Sequence, residues 1–291
     1  MQIPAREVKL TTRTGISVRR TIPHAKLKTI GAWCFVDHFG PTTQTDGMVV
    51  AAHPHTGLQT ATWLFDGEIE HRDSLGSIQL IRPGQLNLMT AGFGISHSEL
   101  SLASTETLHA IQLWIALPEN ARNQAPAFEH QTDLPVIKTS VFEARVLIGE
   151  FLGKQAPTTH FTPIMGVELR LEKGLHRLPL RQDFEHGLVL VSGEVRVSGE
   201  TIGVSSLEYL EPGFSEVEVD VSEDAVMMLL GGEPFPEKIL MWWNFIGRSH
   251  EEIALAREEW NARTDRFGEF EDQVGGWIPA PEMPNLRLQA R

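Results

Sequence analysis

Short strand-like runs broken by glycine and proline turns, with almost no helical period between them, most constrain how this chain can fold. Thr60-Ala61-Thr62-Trp63-Leu64-Phe65 is rich in β-branched and aromatic residues, enters Asp66-Gly67 and continues as Glu68-Ile69-Glu70-His71. That is the pattern of a hairpin closed by a two-residue turn. Further runs follow at Ser77–Ile81, Leu86–Met89, Leu108–Ala116 and Ala144–Ile148, too short for helices and bounded by turn residues. The plan then recurs. Gly187–Val191 leads through Ser192-Gly193 into Glu194–Val197, and Leu210-Glu211-Pro212-Gly213 echoes Ile81-Arg82-Pro83-Gly84. From turn glycine to Pro-Gly glycine the gap is 17 residues in the first copy (67 to 84) and 20 in the second (193 to 213), a weak internal duplication. These signals dominate up to about residue 245 and predict an all-β chain of sandwich or barrel domains.

A chain of 291 residues has room for two ordinary domains. The polar, proline-bounded stretch Pro118–Pro126 reads as a loop, which puts the boundary between 118 and 140 and the expected domains at 1–130 and 131–291. Ser249-His250-Glu251-Glu252 is a capping box ahead of Ile253, Ala256 and Trp260 on one helical face, so one short helix is expected, assigned with the second domain. The cluster Trp242-Trp243-Asn244-Phe245 is expected to pack beneath it, and the tail from Gly275 to Arg291, with Pro279, Pro281 and Pro284, to be extended. Twenty-five basic residues against 38 acidic ones give a formal charge of −13, which disfavours direct contact with nucleic acid or an anionic membrane. A single cysteine, Cys34, excludes an internal disulfide and thiolate-rich metal sites, and its apolar neighbours make it a buried thiol. The first ten residues carry no apolar run of signal-peptide length, and no membrane-span-length apolar segment follows. The expected location is the cytoplasm.

The chemistry is concentrated in two words, His53-Pro54-His55 and His97-Ser98-Glu99. In a strand, residues i and i+2 share a face, so each word presents two metal-binding heads roughly 6 to 7 Å apart at their Cα atoms. Three imidazoles and a carboxylate leave coordination positions open, an arrangement suited to iron, manganese, nickel, cobalt, copper or catalytic zinc rather than to a closed structural site. Pro54 cannot donate to a ladder and implies an edge or bulge there. Gly92 and Gly94 lack the third glycine of a dinucleotide loop and are expected to make a tight bend before His97. His71, among charged neighbours, is expected at the surface, and His160, His176 and His186 in surface or loop positions. Asp37, His38 and Gln112 are candidates for the pocket wall, with Phe93 and Trp114 as core aromatics that can also face a substrate.

The duplication tests which half carries the metal. Steps of 14 and 12 residues back from Gly67 reach His53 and His55, whereas the same steps from Gly193 reach Pro179 and Arg181. Steps of 13 and 15 forward from Gly84 reach His97 and Glu99, whereas from Gly213 they reach Val226 and Met228. The second copy is expected to be structural and free of metal.

His53-Pro54-His55-x-Gly57, Gly67-Glu68-Ile69-Glu70-His71-Arg72-Asp73-Ser74-Leu75-Gly76, Arg82-Pro83-Gly84, Met89-Thr90-Ala91-Gly92-x-Gly94-Ile95-x-His97-Ser98-Glu99 and His109-x-x-Gln112-Leu113-Trp114 together resemble the signature of the pirins, two-domain members of the cupin superfamily. The likeness is specific over roughly residues 30 to 118 and fainter to about 270. It implies a bicupin of two β-barrels with a short C-terminal helix, whose first barrel binds Fe(II) through the positions of His53, His55, His97 and Glu99. It also implies a quercetin 2,3-dioxygenase-like oxidoreductase that cleaves a flavonol or related enolisable aromatic with O2, Glu99 being the candidate base for the substrate hydroxyl. Another branch of the family implies the alternative, a non-enzymatic, iron-dependent redox regulator that binds a protein partner. Many pirins carry Arg at the position of Thr56, Glu at that of Gln59, and Asp-Glu where Asp37-His38 stand here. These departures flank the expected pocket mouth and bear on substrate more than on metal.

Overall fold

A computed structural model describes residues 1–9, 17–43, 48–102, 107–270 and 276–290. Gly275 and Arg291, the ends of the predicted tail, lie outside the described residues. The fold is all-β, as the short turn-bounded runs predict, with one α-helix, His250–Asn261, among the described residues. No described helix is long and apolar enough to cross a membrane.

Packing divides the chain into two compact units that interleave in sequence. One comprises Met1–Val8, Arg19–His38 and Gln131–Phe235, the other Lys9–Val18, Phe39–His130 and Pro236–Arg291. The chain passes from one unit to the other at 130/131, and the helix falls in the same unit as residues 39–130. The apolar face of the helix explains this. Ile253, Ala256 and Trp260 bury with Leu240, Phe245, Phe267 and Ala280, and Trp242 and Trp243 pack against that cluster as the sequence suggests. Phe245 in turn bridges Thr56, and Trp277 bridges Ala52; Ile246 N–H donates to the Thr56 carbonyl at 3.0 Å and Ile278 N–H to that of Ala52 at 2.9 Å. The strand that holds the first histidine word therefore has the C-terminal segment bonded along it. Ser249 caps the helix as predicted, its hydroxyl accepting from Glu252 N–H at 3.2 Å.

The first unit is built on a nine-stranded sheet whose main path runs Gln2–Ile3, Leu207–Leu210, Glu185–Val197, Glu216–Gly232, Ile164–Leu171, Phe142–Ile148 and Val136–Lys138. Cys34 is buried in this unit. The second unit has a four-stranded sheet in the order Val49–His55, Ile95–Ser101, Ile69–Asp73, Ile78–Ile81. In a further sheet, four neighbouring strands run Ala127–Gln131, Leu86–Thr90, Leu58–Asp66 and Thr107–Ala116, and Leu240–Trp242 pairs with Phe245–Gly247. The described sheets are open orders, none closing on itself by hydrogen bonds.

Neither predicted hairpin forms. Leu58–Asp66 already has Leu86–Thr90 on one side and Thr107–Ala116 on the other, so no edge is left for Ile69–Asp73, which pairs in the other sheet. Gly67, at φ 91°, turns the chain from one sheet to the next. In the second copy the chain does not turn back at all. Glu185–Val197 is one continuous strand whose register slips around Ser192 and Glu194, with Gly193 at φ 92° at the bend.

Candidate metal centre

The register of the four-stranded sheet brings the two words together. His97 lies opposite His53, and on its other side opposite Asp73, while Glu99 lies opposite His71. Because side chains alternate and directly opposed residues share a face, His53, His55, His97, Glu99, His71 and Asp73 all project from one face. Between His97 and Glu99 the pairing with the His53 strand slips by one residue, so that Glu99 opposes Val50. The slip is a bulge carried by the His53 strand, because on the other side His97, Ser98 and Glu99 pair without interruption with Asp73, Arg72 and His71. The His53 strand is an edge strand, as Pro54 implies.

His53, His55 and His97 are buried and bring one ring nitrogen each to within 4.8 Å of one another. Their ring centroids are 4.3 Å (His53 to His97), 5.0 Å (His55 to His97) and 5.1 Å (His53 to His55) apart. The hydrogen bonds assign tautomers. His53 Nδ1 donates to the Ala51 carbonyl at 2.9 Å and His55 Nδ1 to the Asn244 carbonyl at 3.2 Å. A neutral imidazole that donates from Nδ1 carries its lone pair on Nε2. His97 Nε2 is buried with no hydrogen-bond partner among the described residues, an arrangement costly for a polar atom unless something occupies the space it faces. Burial holds the His55 pKa well below its ordinary value, helped by His53 and opposed by the Asn244 carbonyl. His97 is pushed down likewise by burial and then by His53, His55 and His71. Both rings are therefore neutral near pH 7, the form that binds metal.

Glu99 forms a second group with His71 and His97, one ligand atom from each again within 4.8 Å. Its half-buried carboxyl is pushed up in pKa by burial, against the pull of His71 and Thr62. The Thr62 hydroxyl is 3.0 Å from Gln112 Oε1 and 3.5 Å from Glu99 Oε1, which puts Gln112 in the same polar group. Trp114 packs edge-on against His55 at 5.0 Å between centroids. Phe93, in the turn before the His97 strand, is 41 % exposed; its N–H donates to the Gln124 carbonyl at 3.0 Å. Asp37 is buried in the first unit, accepting from Arg20 Nε and Nη2 at 2.6 and 2.7 Å. His38 lies in the same unit with Nδ1 2.6 Å from Ser205 Oγ. The structure thus gathers the three imidazoles with Trp114 beside His55, sets Glu99 with His97, His71 and, through Thr62, Gln112, and holds Asp37 and His38 in an ion pair and a hydrogen bond of their own.

His71 is not at the surface. It is 3 % exposed, with Nε2 3.0 Å from Asp73 Oδ2 and its ring stacked on Phe128 at 4.5 Å. Its charged neighbours Glu70 and Arg72 pair with each other at 2.7 Å on the opposite face. The signal was present in the sequence: His71-x-Asp73 is a third i, i+2 word, and the charges between mark only the outward alternates. His176 and His186 are also buried rather than exposed. His176 donates from Nε2 to the Glu172 carbonyl at 2.6 Å, and burial brings His186 down to about 4. His160 is half-buried, donating to the Thr158 carbonyl at 3.1 Å.

Comparison with known proteins adds to this geometry. The Pirin family model matches residues 15–115, and the model of the Pirin C-terminal cupin domain matches residues 166–268. A Pseudomonas aeruginosa protein, provisionally named a quercetin 2,3-dioxygenase, is 44 % identical over 93 % of this chain and 87 % of its own. A pirin-like protein of Caulobacter vibrioides is 33 % identical over 91 % of this chain and 94 % of its own. The crystal structure of a quercetin 2,3-dioxygenase from Acinetobacter baumannii superposes with a TM-score of 0.95 at 42 % identity, covering 99 % of this chain and 97 % of that one.

Proposed function

The chain belongs to the pirin family of two-cupin proteins, and from that premise we propose that it is a metal-dependent dioxygenase acting on a flavonol or related enolisable aromatic. The observation that carries the reading is the convergence of three buried histidines, two of them with Nδ1 held by a carbonyl and the third with Nε2 unpartnered among the described residues. That donor set fits a divalent first-row ion. His53, His55 and His97 would hold it, with Glu99 as the fourth, anionic ligand. Three neutral nitrogens and one carboxylate leave Fe(II) a net charge of about +1 and open positions; manganese, nickel, cobalt, copper and zinc suit the same donors. When bound, the ion supplies a Lewis-acidic, redox-capable centre.

The rest of the chemistry falls to the chain's own residues. Glu99 takes the proton of the substrate hydroxyl. Its burial raises its affinity for that proton, which brings a carboxylate nearer to the range of an effective base. The Thr62 hydroxyl, within reach of both Gln112 and Glu99, steadies the carboxyl as it changes charge. Trp114, against His55, supplies an apolar wall for a planar aromatic. The similarity to proteins named as quercetin 2,3-dioxygenases supports the substrate class. Oxygen uptake by Fe(II)-loaded protein, measured across a panel of flavonols, tests the proposal. Consumption of O2 with one of them is expected. No uptake with any, in protein that holds its iron, sinks the oxygenase reading in favour of a redox-regulated binding protein.

A further inference from the structure

Of the three imidazoles, only His97 has its Nδ1 turned to another side chain rather than to a carbonyl. Its Nδ1 lies 3.4 Å from His71 Nδ1, and His71 Nε2 lies 3.0 Å from Asp73 Oδ2. The carboxylate accepts, so a neutral His71 carries its proton on Nε2 and its lone pair on Nδ1. That lone pair can only accept, which requires the proton of His97 on Nδ1 and the lone pair of His97 on Nε2, the buried atom without a partner among the described residues. The far end of the relay is anchored. Asp73 Oδ1 accepts from Leu75 N–H at 2.9 Å and Ser77 N–H at 3.1 Å, leaving Oδ2 for His71. The His71 ring is fixed in plane by its stack on Phe128, 14° between rings. All three residues are buried, so water does not compete for these bonds.

We propose that Asp73 and His71 are positioning residues that hold His97 in the Nδ1-protonated tautomer with Nε2 presented to the ion, an inference that rests on the metal reading above. Within the set His71, His97 and Glu99 the rival is a second ion ligated by His71, which would take His97 through Nδ1, the nitrogen that faces His71. The two exclude each other, because a nitrogen that carries a proton cannot coordinate.

The test uses full-length protein with 15N-labelled histidine. Long-range proton–nitrogen correlation of the metal-free protein at pH 7.5 reads the tautomer, and competition with a chelator reads zinc(II) affinity; zinc is chosen because it is diamagnetic. In the wild type, His97 is expected to be protonated at Nδ1, and one equivalent of zinc to shift His97 Nε2 while His71 Nδ1 stays uncoordinated. His71→Phe keeps the stack but removes the acceptor. It is expected to give mixed His97 tautomers and about 10- to 100-fold weaker zinc binding. His71→Gln, which restores an acceptor oxygen, is expected to recover affinity to within about threefold of wild type. If His71→Phe does not fold, Asp73→Asn decides, with a loss of at least about threefold expected. The proposal is overturned by His97 protonated at Nε2, by zinc coordinated to His71, by a second bound equivalent, or by unchanged affinity in folded His71→Phe or Asp73→Asn. Wild-type protein that binds no zinc defeats the metal reading instead, and the metal-free tautomer still judges the relay.

Discussion

Gly57→Ala tests how the C-terminal segment supports the centre. Gly57 follows the His53-Pro54-His55 word at φ 69°. A Cβ built there would meet the Ile246 carbonyl oxygen at 2.3 Å and its carbon at 3.2 Å, so the backbone of Phe245–Gly247 must move by about 1 Å to restore ordinary contact. The left-handed conformation alone costs a residue with a Cβ about 1 to 2 kcal/mol. Displacing Ile246 also strains its bond to the Thr56 carbonyl and shifts Asn244, whose carbonyl holds His55 Nδ1. The expected total is about 3 kcal/mol, or a fall in Tm of about 6 to 12 °C for a unit of this size, with weaker metal binding because the tautomer of His55 is no longer held. Gly76 supplies the control, at φ 87° with nothing within 4 Å of an added Cβ, so Gly76→Ala should show the conformational cost alone. Urea unfolding of both variants, with zinc affinity by chelator competition, makes the comparison. Equal destabilisation in the two, or a Gly57→Ala protein with wild-type zinc affinity, would refute the reasoning.

Glu99→Gln keeps the size and a carbonyl ligand but loses the base. It should retain iron by elemental analysis while oxygen uptake falls about 10²- to 10⁴-fold; full turnover in iron-loaded Glu99→Gln would end the proton-acceptor role. Burial holds His55 and His97 well below their ordinary pKa and His186 at about 4. As pH falls below about 6.5 the unfolded chain therefore takes up protons that the folded chain does not, and each such histidine removes about 1.4 kcal/mol of stability per pH unit in that window. Denaturation of metal-free protein from pH 7.5 to 5 should show stability flat above about 7 and falling below 6.5; a curve that rises toward pH 5 would contradict these burial assignments. Trp260→Ala removes the anchor that joins the helix to Phe245 and Phe267 and donates from Nε1 to the Ile278 carbonyl at 2.9 Å. Calorimetry should find it destabilised by about 3 to 5 kcal/mol, and a loss under 1 kcal/mol would mean the helix does not hold the segment in place.

The candidate site was largely legible because its grammar is local. Two residues on one face of one strand need no knowledge of the rest of the fold, and His53, His55, His97 and Glu99 could be picked out that way. His71 and Asp73 obey the same grammar, yet Glu70 and Arg72 drew attention to the outward face of their strand. Asn244 could not have been found: its contribution is a backbone carbonyl delivered by a segment 189 residues from His55, and carbonyls carry no sequence signal. The Asp66-Gly67 turn was correctly located but misassigned as a hairpin, since local turn chemistry does not say which strands already flank Leu58–Asp66. Likewise the capping box fixed where the helix starts, while its place beside the first histidine word depended on long-range burial of Trp260 and Phe245.

Anaerobic loading with Fe(II), followed by removal of free metal and elemental analysis, tests the central claim most directly. One iron per chain is predicted for the wild type, with uptake lost in His53→Ala, His55→Ala and His97→Ala variants that remain folded. A wild type that takes up no iron, or folded histidine variants that retain it fully, would contradict the account.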